Sequence, residues 1–380
     1  MAPQALQVAR EFVRTEILER DAEPDTGVHA RFRESGVANW WLPESTGGLG
    51  LPLVEGVDIA AALAYGDAGL AFSSFVSIVG TSLLELYGGQ RLQREWLKPL
   101  ATTGGYCAVL GSEREAGSEL DRMDTTAARD GDTVVLNGTK LFSTNADAAD
   151  FWIVFARATA GMEQPYVAVV VPRTAPGVRI EKRWNTLGLA TSPVYQVSLT
   201  DCRVTAENVL AGHGLRLLEI GLNPSRILIA ATAVGIARRV RDLCMGYAKN
   251  KPLKGTTLAK NPIFADKLAQ MEVGIEVMRS QCRAAARDYD AIMAGADPAA
   301  GFARRGALKS ALVAKVYCGQ TGWQIAGTGS EVFGGLGYTD EVAIGRLVRD
   351  MRFVSLVEGG DEVVRELLYA RHVMPPAKRS

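Results

Sequence analysis

Histidine is scarce in this chain. His29, His213 and His372 lie far apart among 380 residues, and no cysteine joins them at ligand spacing, so no metal site is expected. The five cysteines, at 107, 202, 244, 282 and 318, form no CxxC pair and are odd in number. That pattern suits reduced thiols better than a disulfide framework. Excess charge of either sign is also missing: 42 Lys and Arg balance 42 Asp and Glu, which removes the overall field that would draw the chain to nucleic acid. Lys249, Lys251, Lys254 and Lys260 do cluster, but among Pro, Gly and Thr with a single aromatic, Tyr247, as in a solvated loop or a phosphate clamp. Residues 1–20 mix charges through their apolar positions and contain neither a signal-peptide core nor a membrane-crossing run. The expectation is a soluble, cytoplasmic protein with no membrane partner.

What is abundant is apolar material, 47% of the chain, enough for a sizeable core. Helical spacing marks residues 6–18, and residues 54–86 are rich in Ala, Leu, Ile and Val. Between 106 and 210 the texture changes to short β-branched runs at 133–136, 151–155, 167–171 and 194–199, punctuated by Asn137-Gly138 and Pro172. Beyond Ser225 the helical period returns. Phe264, Leu268, Met271, Ile275, Met278 and Cys282 repeat at alternating spacings of four and three, the stripe of a packed helix. The chain divides into a helical domain (1–105), a β domain (106–212) and a second helical domain (213–380).

Four segments carry candidate chemistry. Gly111-Ser112-Glu113-Arg114-Glu115-Ala116-Gly117-Ser118 opens the β region with small and hydroxylic residues that let backbone approach a ligand. Asn137-Gly138 reads as a hairpin-like turn, and Phe142-Ser143-Thr144-Asn145 ends a strand in a hydroxyl that can donate to a ring nitrogen. Phe333-Gly334-Gly335-Leu336-Gly337 places glycines after a long helix. Phe353-Val354-Ser355-Leu356-Val357-Glu358-Gly359-Gly360 puts a carboxylate after an apolar run, which desolvates it and raises its proton affinity, as a base for a carbon acid requires.

Together and in this order, with Trp41-Leu42-Pro43-Glu44-Ser45-Thr46-Gly47-Gly48-Leu49-Gly50 ahead of them, these segments resemble the acyl-CoA dehydrogenase family over nearly the whole chain. The resemblance implies a mainly α fold: an N-terminal helical domain, a middle β-barrel and a C-terminal four-helix bundle, assembled as a homodimer or homotetramer around FAD. It also implies an oxidoreductase in which Glu358 removes the α-proton of an acyl thioester and hydride passes to flavin N5. Ser112, Phe142, Ser143 and Thr144 then fall against the flavin. Lys251, Glu331, Gly335, Gly360 and Glu362 stand at positions that contact the rest of the cofactor, Lys251, Glu331 and Gly335 reaching to a neighbouring subunit's. Ser118, Arg226 and Gly359 stand on the substrate side. The substrate is an acyl-CoA or an acyl-carrier-protein thioester, and the electron acceptor an electron-transfer flavoprotein.

Departures from the family pattern cluster on the cofactor and CoA surfaces. Phe142 replaces a Trp, Lys251 an Arg, Lys254 a Phe, Glu331 and Glu362 Gln residues, and Gly360 a Thr. They suggest a specialised biosynthetic member. Ser225 occupies the position of the alternative base used by some members, which leaves Glu358 alone. Rival readings are a flavin-dependent monooxygenase on the same fold, which dispenses with the carboxylate, and a degenerate member with only a binding role.

Overall fold

The computed structural model describes residues 2–19 and 27–374. Met1 and Arg20, the ends of the N-terminal stretch read above, lie outside them. The first helices are α1 (Ala2–Phe12), continued by a π turn over Val13–Leu18, then α2 (Val28–Arg33), α3 (Leu53–Gly66), α4 (Ala68–Phe75), α5 (Ile78–Tyr87), the short α6 (Gln90–Leu92) and α7 (Lys98–Thr103). Asp67 separates α3 from α4: its backbone is extended, and its carboxylate accepts from the Leu70 N–H at 2.8 Å. That N-cap satisfies a donor which the buried start of α4 would otherwise leave without a partner.

Seven strands follow: β1 (Tyr106–Leu110), β2 (Thr126–Asp130), β3 (Thr133–Thr144), β4 (Ala149–Ala158), β5 (Tyr166–Pro172), β6 (Val178–Arg183) and β7 (Val194–Thr205). They make one sheet in the order β1-β4-β2-β3-β7-β6, with β5 also paired to β4. No ladder among the described residues joins β6 to β1 or β5, so the expected barrel is observed as a seven-stranded sheet. Arg179, Lys182 and Arg183 on the edge strand β6 are exposed charges that oppose further pairing.

Asn137-Gly138 is not a hairpin turn. It lies inside β3 at a register shift against β7, where the Asp201 N–H donates to Asn137 Oδ1 at 2.8 Å. A Cβ on Gly138 would come 2.2 Å from Thr125 Oγ1, so glycine serves close approach there. The β2–β3 turn is instead at Asp130-Gly131-Asp132-Thr133, with Gly131 at φ +61°.

The second helical region contains α8 (Gly214–Asn250), the small ladder of β8 (Pro252–Leu253) and β9 (Thr256–Thr257), then α9 (Pro262–Met293), α10 (Pro298–Arg305), α11 (Lys309–Phe333), α12 (Ala343–Met351) and α13 (Asp361–Leu368). The stripe read from the sequence lies on α9, where Phe264, Met271, Ile275, Met278 and Cys282 are buried. The segments Ala68–Tyr87 and Gly214–Asn250 are long and apolar enough to cross a membrane by length and composition, but 89% and 94% of their apolar windows are buried inside the protein. Their hydrophobicity is used in packing.

Candidate active site

Glu358 sits in the turn between α12 and α13. Its φ of +53° is in the left-handed region, unusual for a residue with a Cβ, and Gly359 continues the turn at +95°. Ser225 Oγ, from α8, donates to Glu358 Oε1 at 2.5 Å, while Oε2 is buried and has no partner among the described residues. Burial pushes the carboxyl up to about 7, against the lowering effects of Ser225, Arg226 and Lys315. The carboxylate is therefore held by one oxygen, free at the other, and poised to titrate near neutrality. The Glu358 N–H donates to no protein acceptor among the described residues.

Arg226 packs against this turn from α8. It is 5% exposed, and its Nε and Nη2 donate to the Glu358 carbonyl at 3.1 and 2.9 Å. Its charge acts on the carboxylate through space while its hydrogen bonds fix the backbone.

The second group of candidates gathers on the β domain. Leu141 N–H donates to the Ser112 carbonyl at 2.8 Å, which draws the loop after β1 against the end of β3, close to Phe142, Ser143 and Thr144. Ser112 and Thr144 are half-buried, and their hydroxyls engage no partner among the described residues; Ser143 Oγ is fully buried and also without one. Phe142 adopts φ +56°, which breaks the ladder between Lys140 and Ser143 and leaves its ring 58% exposed. Ser118 is exposed further along the same loop.

The two groups meet through the segment before β7. The Leu189 N–H donates to Asp350 Oδ1 at 2.7 Å, just ahead of the Glu358 turn, and Thr144 pairs with Val194 in the β3–β7 ladder. Gly111 also packs toward Leu218 on α8, seven residues before Ser225, or roughly 10 Å along the helix. Ser112 and Thr144 thus present free hydroxyls on the β domain and Glu358 an unpaired carboxylate oxygen beside α8, with Gly111 and Leu218 linking sheet and bundle. A flat heteroaromatic ring with polar edges, such as a flavin, fits this donor set.

Gly360, the N-cap of α13, and the exposed Glu362 in its first turn stay with Glu358. Lys251, Glu331 and Gly335 do not. Lys251 caps α8 twenty-six residues beyond Ser225, about 40 Å along the helix. Glu331, near the end of α11, pairs with Lys267 at 2.7 Å, and Gly335 lies in the 3-10 turn after α11 with open space around it. Tyr247 stacks on Phe333 at 4.4 Å, joining the ends of α8 and α11. One chain does not bring the two sets together.

Three contributors escape sequence reading. Lys140 and Glu113 form a buried ion pair at 2.7 Å, and Lys140 Nζ also donates to the Gly111 carbonyl at 2.9 Å, pinning the Ser112 loop to β3. Lys315 lies buried on α11 with its Nζ 2.6 Å from the Gly359 carbonyl. Trp184 packs on Phe142 with ring centroids 5.1 Å apart, and Lys182 Nζ sits 3.6 Å from the indole centroid. The only signals in the sequence are a lysine inside the apolar run Leu312-Val313-Ala314-Lys315-Val316 and an isolated tryptophan.

Replacement of Thr144 by Val removes one hydroxyl with little change in shape. It is expected to slow reduction of bound flavin while leaving the unfolding temperature near that of the wild type, because that hydroxyl holds nothing in the fold. Unchanged reduction kinetics in stopped flow would take Thr144 out of the site.

Three family profiles match in order: Acyl-CoA dehydrogenase, N-terminal domain, over residues 3–104; the middle domain of the same family over 108–202; and its C-terminal domain over 212–373. The chain is 28% identical to the mitochondrial short-chain specific acyl-CoA dehydrogenase of Homo sapiens, covering 97% of this chain and 89% of that one. It is 30% identical to the benzylmalonyl-CoA dehydrogenase of Aromatoleum aromaticum, covering 90% and 87%. The solved butyryl-CoA dehydrogenase of Megasphaera elsdenii superposes with a TM-score of 0.88 at 25% identity, covering 98% of both chains.

Proposed function

Because the chain belongs to the acyl-CoA dehydrogenase family, and is an FAD-dependent oxidoreductase acting on CH–CH bonds of acyl thioesters, we propose that Glu358 is the base that removes the α-proton. The observation that carries the reading is the state of its carboxylate: one oxygen fixed by Ser225, the other buried and unpaired, and a proton affinity raised to about 7.

An α-proton beside a thioester is far less acidic than a carboxylic acid, so its removal needs both a strengthened base and a polarised carbonyl. Desolvation strengthens the base, and Ser225 keeps it from rotating away. The unengaged Glu358 N–H is the chain's own donor for the thioester oxygen, where charge develops as the proton leaves. Arg226 holds the Glu358 carbonyl and thereby the left-handed turn that aims both groups. Bound FAD supplies the acceptor for the hydride that leaves Cβ. Ser112 and Thr144, with their free hydroxyls, would hold its polar edge, with Ser143 and the exposed Phe142 ring beside them.

Lys251, about 40 Å from Ser225 along α8, with Glu331 and Gly335 at the end of α11, supports a homo-oligomer in which the three complete a neighbour's cofactor site. Sedimentation is expected to give a flavin-loaded dimer or tetramer; a flavin-saturated monomer would remove these three residues from cofactor binding. An electron-transfer flavoprotein is the proposed acceptor, and the thioester is carried by CoA or by an acyl carrier protein. Anaerobic mixing with matched acyl-CoA and acyl-carrier-protein panels, read by bleaching of the flavin band, tests the reaction and identifies the carrier. Bleaching by neither panel rejects it. Reduction should follow deprotonation of Glu358, being slow below about pH 7 and rising to a plateau above it.

A further inference from the structure

Two buried cations stand behind the Glu358 turn, and the mechanism above uses one of them. Arg226 comes from α8. The other, Lys315, comes from α11, where Leu312 and Cys318 on either side of it in sequence are also buried. Taking an ammonium out of water is costly unless the charge is compensated or used. Among the described residues neither cation forms an ion pair with a carboxylate. Both direct donors at consecutive backbone carbonyls: Arg226 at Glu358 O, Lys315 at Gly359 O. A turn held at φ +53° and +95° is thus clamped from two helices.

We propose that Lys315 is a positioning residue for proton abstraction: through the Gly359 carbonyl it fixes the Glu358–Gly359 turn, and its buried charge keeps the Glu358 carboxylate ionised near neutral pH. The proposal rests on Glu358 being the base.

The groups around Glu358 are few. Ser225 and Arg226 face it from α8 and Lys315 from α11; Asp361, at the start of α13, acts on Lys315, and Glu219 on Arg226. Ser225, Arg226 and Lys315 favour the ionised carboxylate against burial. Asp361 acts on Lys315 and holds one oxygen, Oδ1, without a partner, close to Gly319 one turn beyond Lys315 on α11. Burial, then the repulsion of Arg226, lowers Lys315 to about 8, so it still carries charge over the range in which Glu358 titrates. A neutral side chain could fill the space or bind the carbonyl. Only a cation there also lowers the proton affinity of the base.

Two substitutions separate these effects. Lys315→Met removes both charge and donor; Lys315→Gln removes the charge and keeps an N–H for Gly359 O. In the flavin-loaded oligomer, anaerobic reduction by a substrate that bleaches the wild type is followed from pH 5.5 to 9.5, with Glu358→Gln alongside. Both variants are expected to move the midpoint of the pH profile up by about one unit, and Lys315→Met also to lower the plateau, while flavin content stays that of the wild type. At pH 7 that shift is a loss of roughly fivefold. An unmoved midpoint in whichever variant is isolated as a flavoprotein overturns the proposal, even if the rate falls uniformly, since uniform loss marks a merely structural role. If Glu358→Gln is inactive and the midpoints do not move, the base stands and Lys315 falls. If Glu358→Gln bleaches like the wild type, the base assignment itself fails.

Discussion

Glu358→Gln is expected to retain flavin and quaternary structure but to lose substrate-driven bleaching. The loss should be near the upper end of the hundred- to ten-thousand-fold range typical of a general base, about ten-thousand-fold. Glutamine keeps the size of the side chain and can still hydrogen-bond Ser225, but it has no basic site for the α-proton. Ser225 occupies the neighbouring position on α8 and donates to Glu358, so that position offers no second carboxylate. Stability should change in the opposite sense to activity. A carboxyl whose folded value is raised to about 7 contributes stability below its unfolded value, near 4.5, which is lost as pH rises through 7. The glutamine variant does not titrate there, so at pH 8 it should unfold later than the wild type, by on the order of 2–3 kcal/mol. Single-turnover bleaching together with thermal unfolding at pH 6 and pH 8 checks both signs. A variant reduced as fast as the wild type would favour a reaction that needs no carboxylate at this position, as in the flavin-dependent monooxygenase alternative.

Lys140→Met is expected to cost the fold about 3–5 kcal/mol, the usual penalty for breaking one side of a buried ion pair. Lys140 is 0% exposed and Glu113 is 7% exposed, so the remaining carboxylate has little access to water. Burial alone would raise Glu113, but the charge and hydrogen bond of Lys140, with donors from Thr125 and Asp124, hold it below its ordinary value. Burial pushes Lys140 itself down to about 8. Because the same Nζ holds the Gly111 carbonyl, the variant should also release flavin more readily, through a loosened Ser112 loop. Chemical unfolding and flavin retention on gel filtration measure the two effects. Glu113→Gln added to Lys140→Met should recover most of the stability, since the uncompensated charge is then gone. If the single variant is as stable as the wild type, the pair does not hold the loop.

Much of the site was legible because the relevant signals are local. Glu358 follows a largely apolar segment, Phe353-Val354-Ser355-Leu356-Val357, which favours desolvation of the carboxylate. The α9 stripe and the β-branched runs are periodicities that report which face is buried before the partner is known. Asn137-Gly138 shows the limit of local reading: the dipeptide favours a turn, but pairing with β7 on one side and Thr125 beneath Gly138 made it a strand irregularity. The resemblance put Arg226 on the substrate side, but that its donors go to the Glu358 carbonyl depends on the left-handed turn, which no residue type announces.

By itself the sequence determined the succession of helical, sheet and helical regions, the apolar faces that pack them, and Glu358 as a carboxylate set after a largely apolar segment. Tertiary structure alone decided which distant residues serve that carboxylate. Ser225 and Lys315 reach the turn from α8 and α11, Lys140 meets Glu113 across the loop after β1, and Trp184 comes to lie on Phe142. The physical reason is that burial follows from the period of a single element, whereas a hydrogen bond or a buried charge contact needs two elements fixed at one distance and angle. That geometry is set by the packing of the whole core, not by the spacing of residues along the chain.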